Sequence, residues 1–265
     1  MIHPTAIVDP HAEIDASAEI GAYAVIEGKV RIGPRTRIFP HAVITGGAVL
    51  GADNEVHYGA VLGDVPQDVA FRGAESFLEI GAGNVFRENV TIHRGTKPGT
   101  ETVIGDRGYF MHNSHVAHNC RIGNDAIVAG GAMLSGYVEL GERGFVSGNC
   151  VVHQFVRIGR LALLRGQSRT SRDVPPFCIM DGTHTVRAVN LVGLRRAGFS
   201  PASIRAIRNA FKVVFLRRRN LKTALAELEA GPMEPEVREL VEFVRASTRG
   251  VCFGPRSADS TDADA

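Results

Sequence analysis

Stepping by six from Ile2, this chain places an aliphatic residue at every stop: Ile2, Val8, Ile14, Ile20, Ile26, Ile32, Ile38, Ile44, Leu50, Val56 and Leu62. The period returns as Ile80, Phe86 and Ile92. It returns again from Ile104 through Phe110, Val116, Ile122, Val128, Leu134, Leu140, Val146, Val152 and Ile158 to Leu164, with one aromatic in each later run. Four residues after the aliphatic stands something small: Ala6, Ala12, Ala18 and Ala24 early, and Ser114, Cys120, Ala126 and Ala132 later. A helix repeats near 3.6 residues and a half-buried strand at two, so neither makes this pattern. A period of six fits short strands separated by turns, with one side chain entering a narrow interior and a small one beside it. Such strands cannot bury a face alone and must stack as coils.

The pattern is similar to that of the hexapeptide acyltransferases, in which three hexads make one triangular coil. That resemblance implies a left-handed parallel β-helix, against the usual right-handed preference of parallel connections. The period predicts the β-helix over residues 1–175, with loop insertions near 63–78 and 96–102. Insertions in a solenoid become surface loops, and such loops often carry function. After Thr170 the repeat fades, and Asp173-Val174-Pro175-Pro176 marks a boundary. Residues 176–253 read as an α-helical C-terminal domain, with helices at about 187–197, 200–217, 221–230 and 234–247. Ser200-Pro201 has the form of an N-cap followed by proline at the first helical position. The tail, 254–265, is small and acidic and is expected to be disordered.

Charge and cysteine usage narrow the partners. The formal net charge is only +2, so any basic surface must be local. No apolar run approaches the roughly 20 residues of a membrane span. Cys120, Cys150, Cys178 and Cys252 form no CxxC pair and no secretory leader precedes them, so a reduced cytoplasmic setting is expected. Cys120 and Cys150 fall in the small-residue register and read as packing. From Arg187 to Lys222 there are ten Lys or Arg and no Asp or Glu, among them Arg195, Arg196, Arg205, Arg208, Lys212, Arg217, Arg218 and Arg219. Such a run suggests an anionic partner. Nucleic acid is not expected, because no aromatic platform is interleaved with the charges and no DNA-binding motif is present.

His3, His11, His41 and His57 read as surface or turn residues. The dense segment is Met111 to Cys120, with His112, His115 and His118 at a spacing of three. That spacing raises a metal site. On a β-helix, however, His112 and His118 occupy equivalent places on successive faces and point apart, so no metal is expected. A general base fits better. Val116 points inward, so Ala117 and His118 turn outward. One coil of 18 residues after His118 comes Gly136, and one coil after Asn119 comes Tyr137. A glycine beside an imidazole lets a bare backbone N–H reach a developing oxyanion. A neutral imidazole can take a hydroxyl proton near neutral pH. No Ser-His-Asp order, P-loop or GxGxxG is present, and no cofactor is expected.

Seven stretches occur in order: Pro66-Gln67-Asp68, Thr91-Ile92-His93-Arg94-Gly95-Thr96, His115-Val116-Ala117-His118, Val152-His153-Gln154-Phe155, Asp173-Val174-Pro175-Pro176, Arg208-Asn209-Ala210-Phe211 and Ser247-Thr248-Arg249-Gly250. With them the chain resembles, from Ile2 to about Gly250, the bacterial UDP-N-acetylglucosamine O-acyltransferases that open lipid A synthesis. The resemblance implies that His118, with Asn119 beside it, deprotonates the 3-hydroxyl of the sugar. That oxygen attacks the thioester of a fatty acyl chain, expected to be 3-hydroxyacyl, on acyl carrier protein. The Gly136 N–H stabilises the oxyanion, with no metal and no covalent intermediate. It places Gln67, Asp68, His115, Tyr137, His153, Gln154, Asn190 and Arg196 where the family holds the nucleotide sugar, and Gly166 near the position that measures acyl length. It implies a homotrimer with sites between subunits. Acidic carrier protein is then the partner expected to dock on Arg205, Arg208, Lys212, Arg217, Arg218 and Arg219.

The chain also departs from the family. Asn119 stands where Asp is common, Val69-Ala70 where Leu-Lys is frequent (Arg72 lies near enough to replace that cation), and Tyr137 where His is frequent. The acceptor is therefore open between the 3-hydroxy sugar and a 3-amino analogue. The N-acyltransferase paralogue carries an extra N-terminal domain, whereas repeats begin here at Ile2. A γ-type carbonic anhydrase, the metal-using rival with the same repeat, lacks the arginine-rich helical part.

Overall fold

In the computed structural model, which describes residues 1–217 and 219–255, residues one coil apart lie side by side. Ile7 pairs with Val25, Val25 with Val43 and Val43 with Val61, always in parallel. Among the described residues three sheets result. The first face has nine strands, from Ile7–Val8 to Arg169–Thr170. The second has eight, from Glu13–Ile14 to Arg157–Ile158. The third has ten: nine from Glu19–Ile20 to Cys178–Asp181, and Thr185–Val189 at its edge. Strands are short because a turn residue follows at once. The third residue after the inner aliphatic takes a left-handed backbone, with φ of 58° at Asp53, 58° at Asn119 and 54° at Asn149. Asn and Asp tolerate that region better than other non-glycine residues.

The inner column is buried from Ile20 to Leu164. Phe86 and Phe110, the two aromatics in it, prove to be coil neighbours, and their rings stack with centroids 4.9 Å apart. Ring against ring keeps the interior filled where single aliphatics would leave gaps. The small register also holds two buried asparagines, Asn54 and Asn84. Their amide nitrogens donate to the carbonyls of Gly51, Gly81 and Gly105, so a polar ladder replaces methyl groups without leaving donors unpaired.

Both insertions leave at the corner between the first and second faces. One runs between Val61–Asp64 and Phe77–Ile80, the other between Thr91–His93 and Glu101–Ile104. They brace each other: the Gly99 N–H donates to the Glu75 carbonyl, and Arg94 Nη1 donates to the Gly63 carbonyl. Thr91 pairs with His115, so the next coil on this corner carries His118.

A helix over about 187–197 is corrected. Thr185–Val189 is a strand, antiparallel to Cys178–Asp181, and α1 spans only Leu191–Arg196. Once the period of six ends, no local pattern marks that strand. The edge of the third face, with its unpaired N–H and C=O groups, takes it up. Helix α2 spans Pro201–Phe211, and Ser200 Oγ caps it by accepting the Ser203 N–H. It passes into a π-helical turn, Lys212–Leu216, before α3 (Leu221–Glu229) and α4 (Pro235–Arg245). The apolar sides of α2 and α4, with Ile207 and Phe211 on one and Leu240 and Val244 on the other, are buried. Among the described residues no helix is long and apolar enough to cross a membrane. Most of the expected disordered tail, 256–265, lies outside the described residues, as does Arg218.

Asp173 locks the C-terminal part to the last coil. Its buried carboxylate accepts the Arg157 N–H at 2.9 Å and the Ser247 hydroxyl at 2.8 Å, and lies 3.4 Å from Arg157 Nε. Asp173→Ala strands these donors in a dry place. The expected loss is roughly 3 kcal/mol, the scale of breaking a buried pair. It is read as a lower midpoint of urea unfolding, and an unchanged midpoint refutes the assignment.

Candidate active site

His118 is held by its neighbour. Asn119 Oδ1 lies 3.0 Å from His118 Nδ1. The same oxygen accepts the backbone N–H and the hydroxyl of Thr96, each at 3.0 Å. A backbone N–H can only donate, so the shared atom is the amide oxygen, and Nδ1 must carry the imidazole proton. Nε2 is thereby left as the acceptor. The Thr96 hydroxyl also lies 3.2 Å from the Tyr137 hydroxyl, and the Tyr137 ring packs edge-on to the imidazole at 5.3 Å.

Gly136 lies against that ring, as the coil arithmetic predicts. A Cβ built on Gly136 would stand 2.4 Å from His118 Cε1 and 2.6 Å from Nε2. Only glycine lets the imidazole lie there. The Gly136 N–H has no acceptor among the described residues. Stacking alone does not single out His118, however. His112 repeats it against Gly130, whose Cβ would stand 2.6 Å from His112 Cε1. What differs is that His112 is exposed and, among the described residues, has no side chain anchoring its Nδ1. His118 is anchored and only 9% exposed. His118 does turn away from the inner column, but Tyr137 and the second insertion, which brings Thr96 onto Asn119, cover it within the single chain.

The neighbouring histidines are poor bases. His93 Nδ1 accepts the Gln67 N–H at 3.2 Å, which seats the first insertion on this corner. His115 Nδ1 lies 2.7 Å from Thr91 Oγ1, and the His93 and His115 rings meet edge-on at 5.1 Å. Burial, and next the neighbouring His93 and His118, push His115 from its usual 6.5 down to about 4; burial lowers His93 as well. Both stay neutral at pH 7, and their low basicity makes them poor proton acceptors. Groups buried neutral bind protons more readily once unfolded, so their effect on stability appears only below pH 6.5. We expect the melting temperature to fall as pH drops from about 6.5 towards 4, and His115→Gln to flatten that fall. A His115→Gln curve with the wild-type slope would count against it.

The cysteines are inert. Cys120 and Cys150 are buried with their Sγ donating to the carbonyls of Ser135 and Arg165. Burial pushes the Cys120 thiol up to about 12.

Comparison with known proteins shows the family and the fold. A family model described as UDP N-acetylglucosamine O-acyltransferase, domain 2, matches residues 173–252, and one for the bacterial transferase hexapeptide matches 101–136. A Synechocystis acyl-(acyl-carrier-protein)–UDP-N-acetylglucosamine O-acyltransferase is 49% identical over 93% of this chain and 90% of its own length. The crystal structure of a UDP-N-acetylglucosamine acyltransferase from Bacteroides fragilis superposes with a TM-score of 0.91 at 38% identity, over 95% of this chain and 99% of that one. The enzyme from Francisella novicida gives 0.92 at 32% identity, over 100% and 99%. This chain belongs to the acyl-(acyl-carrier-protein)–UDP-N-acetylglucosamine O-acyltransferase family. Its solenoid is the left-handed β-helix of those enzymes.

In this acyltransferase the expected site residues do not all meet. His115, His118, Asn119, Gly136, Tyr137, His153 and Gln154 share the first face and its corner; Phe155 donates its N–H to the Gly136 carbonyl at 3.0 Å. Gln67 and Asp68 hang over them on the first insertion, where Asp68 Oδ1 accepts the Ala70 N–H. Gly166 sits elsewhere, after the third face, in line with His112, Gly130 and Gly148. Asn190 is spent on structure: its amide nitrogen donates to the Leu161 carbonyl at 2.8 Å and its oxygen caps α1 by accepting the Gly193 N–H at 3.0 Å. It thereby aims α1, whose last turn carries exposed Arg195 and Arg196.

The basic run is also less bare than its sequence. Arg217 and Arg219 both pair with Glu227 of α3. Arg205, Arg208 and Lys212 are exposed and form no ion pair among the described residues. Thr96, Thr91 and His93 also line this corner; they fall in one of the seven stretches that carry the resemblance, beside an interruption of the repeat, but the sequence alone assigned them no role.

Proposed function

We propose that this chain transfers a fatty acyl group, of the 3-hydroxyacyl class, from acyl carrier protein to the 3-hydroxyl of UDP-N-acetylglucosamine, opening lipid A synthesis. The observation that carries this is the imidazole of His118, fixed at Nδ1 by Asn119 and set with Nε2 against Gly136. Nε2 takes the hydroxyl proton as the sugar oxygen forms its bond to the thioester carbonyl. Charge gathers on the carbonyl oxygen within reach of the Gly136 N–H. Collapse of the tetrahedral species breaks the C–S bond, and the imidazolium returns its proton to the departing thiolate of the carrier. The test is direct. Purified protein is incubated with UDP-N-acetylglucosamine, or its 3-amino analogue, and a panel of acyl carrier proteins, and products are weighed. An acylated nucleotide sugar is expected, and none with any pair overturns the reading.

In this reading residues 1–175 carry the chemistry and 176–253 receive the carrier. We expect Arg205→Glu, Arg208→Glu and Lys212→Glu together to raise KM for acyl carrier protein by about tenfold, steeply with falling salt, and to spare KM for the sugar nucleotide. Equal effects on both substrates would argue against docking there. The enzyme works as a homotrimer in this proposal, because Gly166 and Arg196 lie on other corners than His118 and can join it only from a second copy. Light scattering that gives a fully active monomer rules this out.

A further inference from the structure

Two arginines at the far end of the catalytic corner have no acidic partner among the described residues. In coils of 18 residues His118 leads to Gly136, Gly136 to Gln154, and Gln154 to Arg172. The strand pairing keeps that register: Val116 pairs with Leu134, Leu134 with Val152 and Val152 with Thr170. At about 4.8 Å per coil, Arg172 stands about 14 Å along the corner from His118. Arg249, from the segment after α4, crosses onto the same corner. Its Nε donates to the Ser171 carbonyl at 3.0 Å, and its Nη2 lies 3.3 Å from His153 Nδ1. A Cβ on Gly250 would stand 2.9 Å from Arg172 Nη1, so the Arg172 guanidinium lies against the segment that carries Arg249. Arg172 is seated on the Phe253 ring, 4.4 Å from its centroid. Several other solenoid arginines meet acids, as Arg35 meets Asp53, Arg107 meets Asp125 and Arg160 meets Glu239. Among the described residues neither Arg172 nor Arg249 has a carboxylate partner. Both are partly buried and held by contacts of their own, which is how cations are kept ready for an anion rather than for solvent.

We infer that Arg172 and Arg249 form a phosphate site that grips the phosphodiester at the base of the carrier's pantetheine arm. This rests on the proposed function. Between that phosphorus and the thioester sulfur lie about 13 bonds, which extended span about 16 Å at the reach per bond of an extended chain. That length joins Arg172 to a thioester at His118. The other phosphate in the reaction, the nucleotide diphosphate, begins about five bonds, roughly 6 Å, from the reacting 3-oxygen, short of the cluster. Guanidinium groups bind phosphate through paired N–H donors, and such bonds are the strong ones. The site fixes where the arm enters, and so delivers the thioester to Nε2 rather than leaving it to wander along the corner.

The test compares two minimal donors, acyl-phosphopantetheine and acyl-pantetheine, which lacks the phosphate, in the wild type and in Arg172→Gln, Arg249→Gln and the double variant. The wild type should prefer the phosphorylated donor in kcat/KM by about tenfold or more. The double variant should bring that ratio close to one, with KM for UDP-N-acetylglucosamine held. A variant that instead raises KM for the nucleotide and keeps the donor ratio assigns the arginines to the diphosphate and overturns the inference. A wild type indifferent to the phosphate overturns it as well. A wild type that acylates the sugar from neither donor nor from carrier protein defeats the proposed function itself, and the inference with it.

Discussion

His118→Ala lowers kcat by roughly a hundredfold or more, the scale of a lost, well-placed proton acceptor, while the protein stays folded. The side chain stands outside the inner column, which Val116 fills at this strand, so its removal costs one hydrogen bond and no core packing. His112→Ala is the internal control. It removes an imidazole with the same stacking on a glycine but with no anchor at Nδ1, and should leave kcat near wild type. Anchoring also predicts a pH effect. The proposed mechanism needs the neutral ring. Asn119→Asp sets a negative charge at Nδ1, favours the imidazolium and moves the acid limb of the kcat profile to higher pH. Wild-type turnover in His118→Ala, measured on acyl carrier protein and UDP-N-acetylglucosamine, removes the mechanism.

The parts of this molecule that repeat were legible from its residues, and the parts that interrupt the repeat were not. Each inner position meets the same environment, so an aliphatic every six residues reports the fold, and adding 18 to 118 reports Gly136. The meaning of Phe86 and Phe110 was hidden only because an insertion separates them by more than one coil in sequence while they remain coil neighbours in space. The insertions themselves obey no period. Their conformations are set by contacts such as Thr96 on Asn119 and His93 on Gln67, which join residues 23 and 26 positions apart. That is why the cover over His118 could not be read from the period. Arg217 and Arg219 looked unopposed because Glu227 lies beyond the run and returns to it through the fold of α3. Strand Thr185–Val189 owes its existence to an open sheet edge rather than to its own pattern.

Gly136→Ala should cost about as much as moving the base itself, roughly a hundredfold in kcat, through a single methyl group. The new Cβ would stand 2.4 Å from His118 Cε1 and 2.6 Å from Nε2, closer than unbonded carbon and nitrogen can approach. The ring has nowhere to go: Tyr137 packs at its edge, and Asn119, itself held by Thr96, ties down Nδ1. A displacement of about 1 Å at the reacting atom is enough for a loss of that size. Backbone strain is not the cause, since Gly136 is not among the glycines with positive φ. Gly130→Ala tests the point, because its methyl presses on exposed His112, which can swing into solvent, and should change kcat little. The decisive measurement is the double variant. If the methyl acts by displacing the imidazole, Gly136→Ala costs far less in the His118→Ala background than in the wild type, a strongly non-additive cycle. An equal cost in both backgrounds shows that the methyl acts on something other than the ring, and separates the two residues that the coil register has joined.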